Sequence, residues 1–198
     1  DEIALGIELG LVNAGGTQLA ELLDDVSMVV LAVPVLAMES VMTALAQALP
    51  NAADDVVITD VGSTKATIRE CAERVFGYVL PNIVLGHPIA GSEKSGVAAA
   101  NPTLYVNHKV ILTPEPNVDA DALARVEKLW QTCGAEVLQM SVERHDQVLA
   151  RTSHLPHLLA FSLVDTLARQ DERLDIFRYA AGGFRDFTRI AGSDPVMW

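Results

Sequence analysis

Short, largely apolar runs alternate with helix-like stretches along the first 140 residues, and this alternation limits the possible folds more than any other feature. The runs are MVVLAV (28–33), VVITD (56–60), IVL (83–85), KVILT (109–113) and AEVLQM (135–140). A strand without a polar face must be covered on both sides, a condition met by a parallel sheet lying between two layers of helices. Val35, Met38, Val41, Met42, Leu45 and Leu49 share one helical stripe after the first run, and Ile68, Ala72 and Val75 share another after the second. Asp119 is placed to cap a helix whose Leu123, Val126, Leu129, Trp130 and Cys133 face inward, and Gly134 to stop it. The expectation for residues 1–140 is an α/β fold with a doubly wound parallel sheet.

After Ser141 the rhythm changes. Residues 142–168 have helical spacing almost throughout, with only Pro156 to kink them, and no strand-like run comes after them. Residues 141–198 are therefore expected to form part of an all-helical domain. Both ends read as cut: Ser193, Asp194 and Pro195 form a helix start with only three residues behind them, and no Met opens the chain. Gly15 and Gly16 come after a helical stretch rather than a strand, the wrong context for a phosphate loop, so the first strand and its glycine-rich turn are expected to be missing.

The 198 residues are 50% hydrophobic and 20% charged, an ordinary globular balance. A formal net charge of -12, with no basic cluster interleaved with aromatics, argues against nucleic acid as a partner. The run at 28–33 is six residues long, where a membrane span needs roughly 20, so no membrane association and a cytoplasmic location are expected. Cys71 and Cys133 have neither metal nor redox spacing and read as reduced thiols.

Chemistry concentrates where apolar runs end. GHPIAGSEKSG (86–96) places His87 just past the third run, and histidine, with an unperturbed pKa near ~6.5, can accept a proton at neutral pH. Open α/β sheets bind ligands outside the carboxyl ends of their strands, so His87, Pro34 after Val33, and the VGSTK loop are expected to line one crevice. Ser63 in that loop is placed to bond a ligand, to cap the next helix, or to do both. Arg173, Arg178, Arg185 and Arg189 outweigh Asp175 and Asp186 in the same stretch. If residues 184–190 are helical, Arg185 and Arg189 share a face suited to a carboxylate; the alternative is solvated or ion-paired arginines. His154 and His157, with His145 and Asp146 upstream, lack a third ligand at a diagnostic spacing, so no metal site is expected.

Together with DVGSTK (60–65), SHLPH (153–157) and GGFRDFTRIAGSDPVMW (182–198), the His87 segment resembles the prephenate dehydrogenase family, from about Met28 to the last residue. The resemblance implies a Rossmann-like domain followed by a helical substrate and dimerisation domain, and a homodimer. It implies oxidation of prephenate to 4-hydroxyphenylpyruvate by NAD or NADP as carbon dioxide leaves, although some relatives prefer arogenate and yield tyrosine. By the same likeness His87 is the catalytic histidine on the ring hydroxyl, and Ser63 positions that hydroxyl beside the nicotinamide. Ser153 and His157 are substrate contacts, and Arg189 binds a substrate carboxylate. Arg185, a lysine in some relatives, reaches the partner subunit's site; Glu93 is an acidic gate, and Trp198 an aromatic near the site. Val33, Pro34, Gly62 and Ser63 form the cofactor edge.

Aromatisation of the ring drives such a reaction without a metal, and a neutral His87 accepting the hydroxyl proton supports hydride loss. Without the glycine loop these residues alone are expected to bind NAD weakly and turn over poorly. Two other readings stay open at this point: a non-catalytic fragment that binds substrate or tyrosine, and a hydroxyacid dehydrogenase whose base is Lys65 or Lys94.

Overall fold

The structure, a computed structural model, describes residues 2–23, 25–49, 56–91, 96–171 and 173–192. The chain divides into two compact units, Asp1–His145 and Asp146–Trp198.

In the first unit, helices α1 (Glu2–Glu8) and α2 (Leu19–Leu22) precede strand β1 (Met28–Leu31). A 3₁₀ turn (Val35–Ala37) leads into α3 (Met38–Ala48), and then come β2 (Val57–Asp60), α4 (Lys65–Phe76) and β3 (Ile83–Val84). These three strands are parallel in the order β1-β2-β3, with Met28 opposite Val57 and Ile58 opposite Ile83. Side chains of one strand alternate between faces, and the core shows it. Ile58 and Ile83 pack with Leu31, Met38, Met42, Leu45, Ile68 and Ala72. Val57 and Val84, one residue away, pack with Val110, Leu112, Val126 and Trp130. Each fully buried aliphatic side chain contributes roughly 1.5–3 kcal/mol, which is why short strands suffice once helices cover both faces.

The ladder then breaks at Leu85. Strand β4 (Gly86–Pro88) pairs antiparallel with β5 (Lys109–Leu112), His87 lying opposite Ile111, and β5 runs parallel to β6 (Glu136–Gln139). The Leu85 carbonyl accepts a hydrogen bond from the Thr113 N–H at 2.9 Å, tying the two three-stranded sheets together. Within the doubly wound fold the β4–β5 pairing is the one antiparallel pairing among the described strands. A parallel return needs a long crossover, usually a helix, whereas the described part of the connection between Pro88 and Lys109 holds only a 3₁₀ turn, Val97–Ala99, and the chain doubles back. His87 accordingly sits within a short strand instead of just beyond one.

Helix α5 (Ala120–Thr132) comes after β5. Its Asp119 N-cap carboxylate accepts from the Ala122 N–H at 3.0 Å. Gly134, at φ +81°, takes the left-handed turn that ends the helix and sends the chain into β6. Trp130, 4% exposed, meets Tyr105 edge to face with centroids 5.1 Å apart.

Helix α6 (Val142–Leu149) runs from the first unit into the second. It widens into a π turn at Ala150–His154, in which the Leu155 N–H bonds the Ala150 carbonyl, and resumes as α7 (Leu155–Ala168). Pro156 has no N–H to give, so the regular ladder cannot pass through it, and the expected kink takes this form. Helices α8 (Arg173–Arg178) and α9 (Gly182–Thr188), and a 3₁₀ turn at Arg189–Gly192, are the remaining described elements of the unit. No helix among the described residues is long and apolar enough to cross a membrane.

Candidate active site

The carboxyl ends of β1 and β2 stand side by side, the Val61 N–H donating to the Leu31 carbonyl at 3.2 Å. Val33, half-buried, and Pro34, exposed, leave the first strand there; Gly62, buried, and Ser63, half-buried, leave the second. The capping role open to Ser63 is not observed. Thr64 holds the N-cap position of α4, and its side chain makes no capping bond.

Behind this edge lies an ion pair that sequence reasoning misses. Lys65 and Asp60 are 0% and 1% exposed and in direct contact. The Asp60 carboxylate accepts from the Gly62 N–H at 2.8 Å and the Gly86 N–H at 3.0 Å, while the Lys65 ammonium donates to the Gly86 carbonyl at 2.7 Å. Both backbone groups of Gly86 are thus pinned by buried charges whose removal from water is balanced by hydrogen bonds. The fit around Gly86 is close: an added Cβ would lie 3.2 Å from the Asp60 carbonyl and 3.1 Å from Leu112, so its neighbours would have to give by a few tenths of an ångström. Lys65 belongs to this staple, which overturns its candidacy as a catalytic base. Lys94, the other lysine considered, lies outside the described residues.

The staple fixes the next residue along the chain. His87, half-buried, turns its Nδ1 to the Nε2 of His145 at 2.9 Å, with ring centroids 5.1 Å apart and planes at 64°. His145 is fully buried on α6. That helix is held near its start by Arg69, whose guanidinium donates to Glu143 at 2.8 Å and lies 3.7 Å from Glu115. The hydrogen bond from Arg69 brings the Glu143 carboxyl below its ordinary pKa, and the same bond raises that of Arg69. The available signal for His145 was its place on an apolar helical face with Val142 and Leu149, where a lone imidazole needs a partner. For Asp60 and Lys65 it was a pair of opposite charges bracketing a strand exit.

In the second unit the π turn and the start of α7 carry Ser153 and His157, both half-buried, and the His157 Nδ1 lies 2.9 Å from the Ser153 carbonyl. Such a bond places the ring proton on Nδ1. Arg185 lies on α9 and Arg189 opens the turn that continues it, with helical φ −52° and ψ −42°. The four-residue spacing therefore places both exposed arginines on one face. Glu93 and Trp198, with the expected helix start at Ser193, Asp194 and Pro195, lie outside the described residues. Among the described residues no three His, Cys, Asp or Glu side chains gather to hold a metal ion.

Comparison with known proteins gives a consistent result. Residues 1–139 match the family described as prephenate dehydrogenase, nucleotide-binding domain, and residues 141–198 match prephenate dehydrogenase, dimerization domain. The chain is 42% identical over 178 residues to cyclohexadienyl dehydrogenase of Zymomonas mobilis, covering 88% of this chain and 58% of that protein. It is 37% identical over 203 residues to prephenate dehydrogenase of Bacillus subtilis, covering 100% of this chain and 53% of that protein. The chain thus spans about half the length of the curated relatives it matches. Among solved structures, prephenate dehydrogenase from Aquifex aeolicus in complex with hydroxyphenyl propionate and NAD+ superposes with a TM-score of 0.87 at 41% identity, covering 99% of this chain and 67% of that one. The expected Rossmann-like fold followed by a helical domain is the fold observed.

Proposed function

The chain belongs to the prephenate dehydrogenase family, and from that premise we propose that this protein oxidises prephenate to 4-hydroxyphenylpyruvate, with loss of carbon dioxide and transfer of hydride to NAD or NADP. The observation that carries the reading is the His87–His145 pair, held by a buried staple at the sheet edge of a chain similar over 99% of its length to a dehydrogenase solved with NAD+. The exits of β1 and β2 fit a dinucleotide, since Val33, Pro34, Gly62 and Ser63 lie together at the carboxyl edge of parallel strands. The dinucleotide, when bound, supplies the hydride acceptor.

The chain's own residues do the rest. His87 accepts the hydroxyl proton as the adjacent C–H bond breaks, and with Nδ1 directed at His145 the substrate-side nitrogen is Nε2. The bond to the departing carboxylate then gives its electron pair to the ring, which becomes aromatic, and the phenolate oxygen regains the proton from His87. Ser63 orients the hydroxyl beside the cofactor. Arg189 holds a carboxylate of the dianionic substrate through paired N–H donors, and Ser153 and His157 complete its binding. Arg185 reaches the site of a partner subunit in a homodimer built through the helical unit, and Glu93 and Trp198 are further substrate residues of this reading. The dimer reading is supported by the match to a dimerization domain and by exposed Leu158 and Leu174 on that unit.

The test is an assay of the full-length protein with prephenate and arogenate, each with NAD and NADP. Prephenate-dependent formation of reduced cofactor is expected. Binding of prephenate or tyrosine without turnover under every combination would overturn the proposal in favour of a sensor.

A further inference from the structure

We infer that His145 is a positioning residue that holds His87 in the tautomer whose Nε2 lone pair faces the substrate. This deepens the reading of His87 as the base and rests on it. The 2.9 Å separation of His87 Nδ1 and His145 Nε2 is a hydrogen-bonding distance that calls for one proton between the two rings. That proton has two possible owners. If it belongs to His145, the neutral His87 ring carries its own proton on Nε2 and cannot accept another there. If it belongs to His87, Nε2 bears a lone pair and the ring is a base toward the substrate.

In the second arrangement the bond also strengthens as the reaction proceeds. Proton uptake at Nε2 makes His87 an imidazolium whose Nδ1–H donates to the neutral His145 ring, and a charge-assisted bond of this kind is roughly twice as strong as a neutral one. The surroundings favour a fixed acceptor. His145 is completely buried, its backbone N–H bonds the Ser141 carbonyl at 2.9 Å, and Arg69 holds Glu143 two residues earlier. On the other side Asp60 and Lys65 pin Gly86, so neither ring is carried on a loose segment. A buried ring that merely filled space would not need to aim a nitrogen at the imidazole on β4.

The experiment is nitrogen-15 NMR of the imidazole rings in the full-length protein at neutral pH, assigned with His87→Asn and His145→Gln. The expected result is a His87 ring protonated at Nδ1 and bare at Nε2; a proton on Nε2 overturns the inference. Kinetics supply the second arm. His145→Phe keeps an aromatic ring but loses the acceptor, and is expected to lower kcat by about tenfold or more, part of the ~10²–10⁴ that a general base provides, with KM for the cofactor unchanged. His145→Gln, whose amide oxygen reaches about as far as Nε2, is expected to recover most of that loss. Equal damage in both variants, or none in His145→Phe while His87→Asn is inactive, removes the positioning role alone. An active His87→Asn removes the base reading and this inference together.

Discussion

Lys65 carries its charge out of contact with water, and Asp60 together with the Gly86 carbonyl makes that possible. Replacing it in Lys65→Met leaves the Asp60 carboxylate buried without its counterion. The expected cost is about 3–5 kcal/mol, measured by urea unfolding; a loss below about 1 kcal/mol would mean the staple does not hold the fold. His87 is a different kind of residue, half-exposed and valuable for chemistry rather than stability. His87→Asn is expected to reduce kcat by ~10²–10⁴ while leaving the unfolding midpoint nearly unchanged. His87 was legible because a histidine directly behind an apolar run is conspicuous. The work of Lys65 was not legible, since a lysine in a polar loop reads equally well as a base, a solvated charge or a buried partner. Only the approach of Gly86, 21 residues away in sequence, selects among these.

At the scale of elements, the helices and most strands are set by stripes and runs, whereas the pairing of β4 with β5 is not. Hydrophobicity marks β5 as buried, but Gly86–Pro88 carries no apolar run, and no pattern gives strand direction, which depends on what the connection can span. The same locality explains why the α5 cap was readable: Asp119 and Ala122 are three residues apart. Asp119→Ala is expected to destabilise the first unit by about 1 kcal/mol, read from denaturant unfolding. Helix α6 gives a pH-dependent counterpart. The Glu143 carboxyl is depressed by the bond from Arg69, so its contribution is present above the ordinary carboxylate pKa and is lost as pH falls through the depressed range. Hydrogen exchange at α6 amides should accordingly be faster in Glu143→Gln than in the parent protein at neutral pH, and the difference should vanish in acid. Equal protection at neutral pH would show that Arg69 does not steady this helix.

For the whole molecule, the second unit combines exposed arginines with exposed leucines, and the proposed dimer and substrate site make separate demands on them. Leu158 is 63% exposed on α7, and Leu158→Asp is expected to shift the full-length protein toward monomer in sedimentation. Arg189→Gln is expected to raise KM for prephenate by roughly 10- to 100-fold with KM for the cofactor unaltered, the scale of a lost charge-assisted hydrogen bond. An unchanged KM for prephenate would remove Arg189 from the site. By itself the sequence determined the α/β rhythm of residues 1–140, the helical character of residues 141–192, the cap at Asp119 and the prominence of His87. Those are consequences of local spacing, which a chain carries whether or not it is folded. Tertiary structure alone decided the antiparallel return of β5, the burial of Asp60 and Lys65, and the meeting of His87 with His145. Each of these depends on segments far apart in the chain being brought within hydrogen-bond reach, and no spacing along the backbone encodes that proximity.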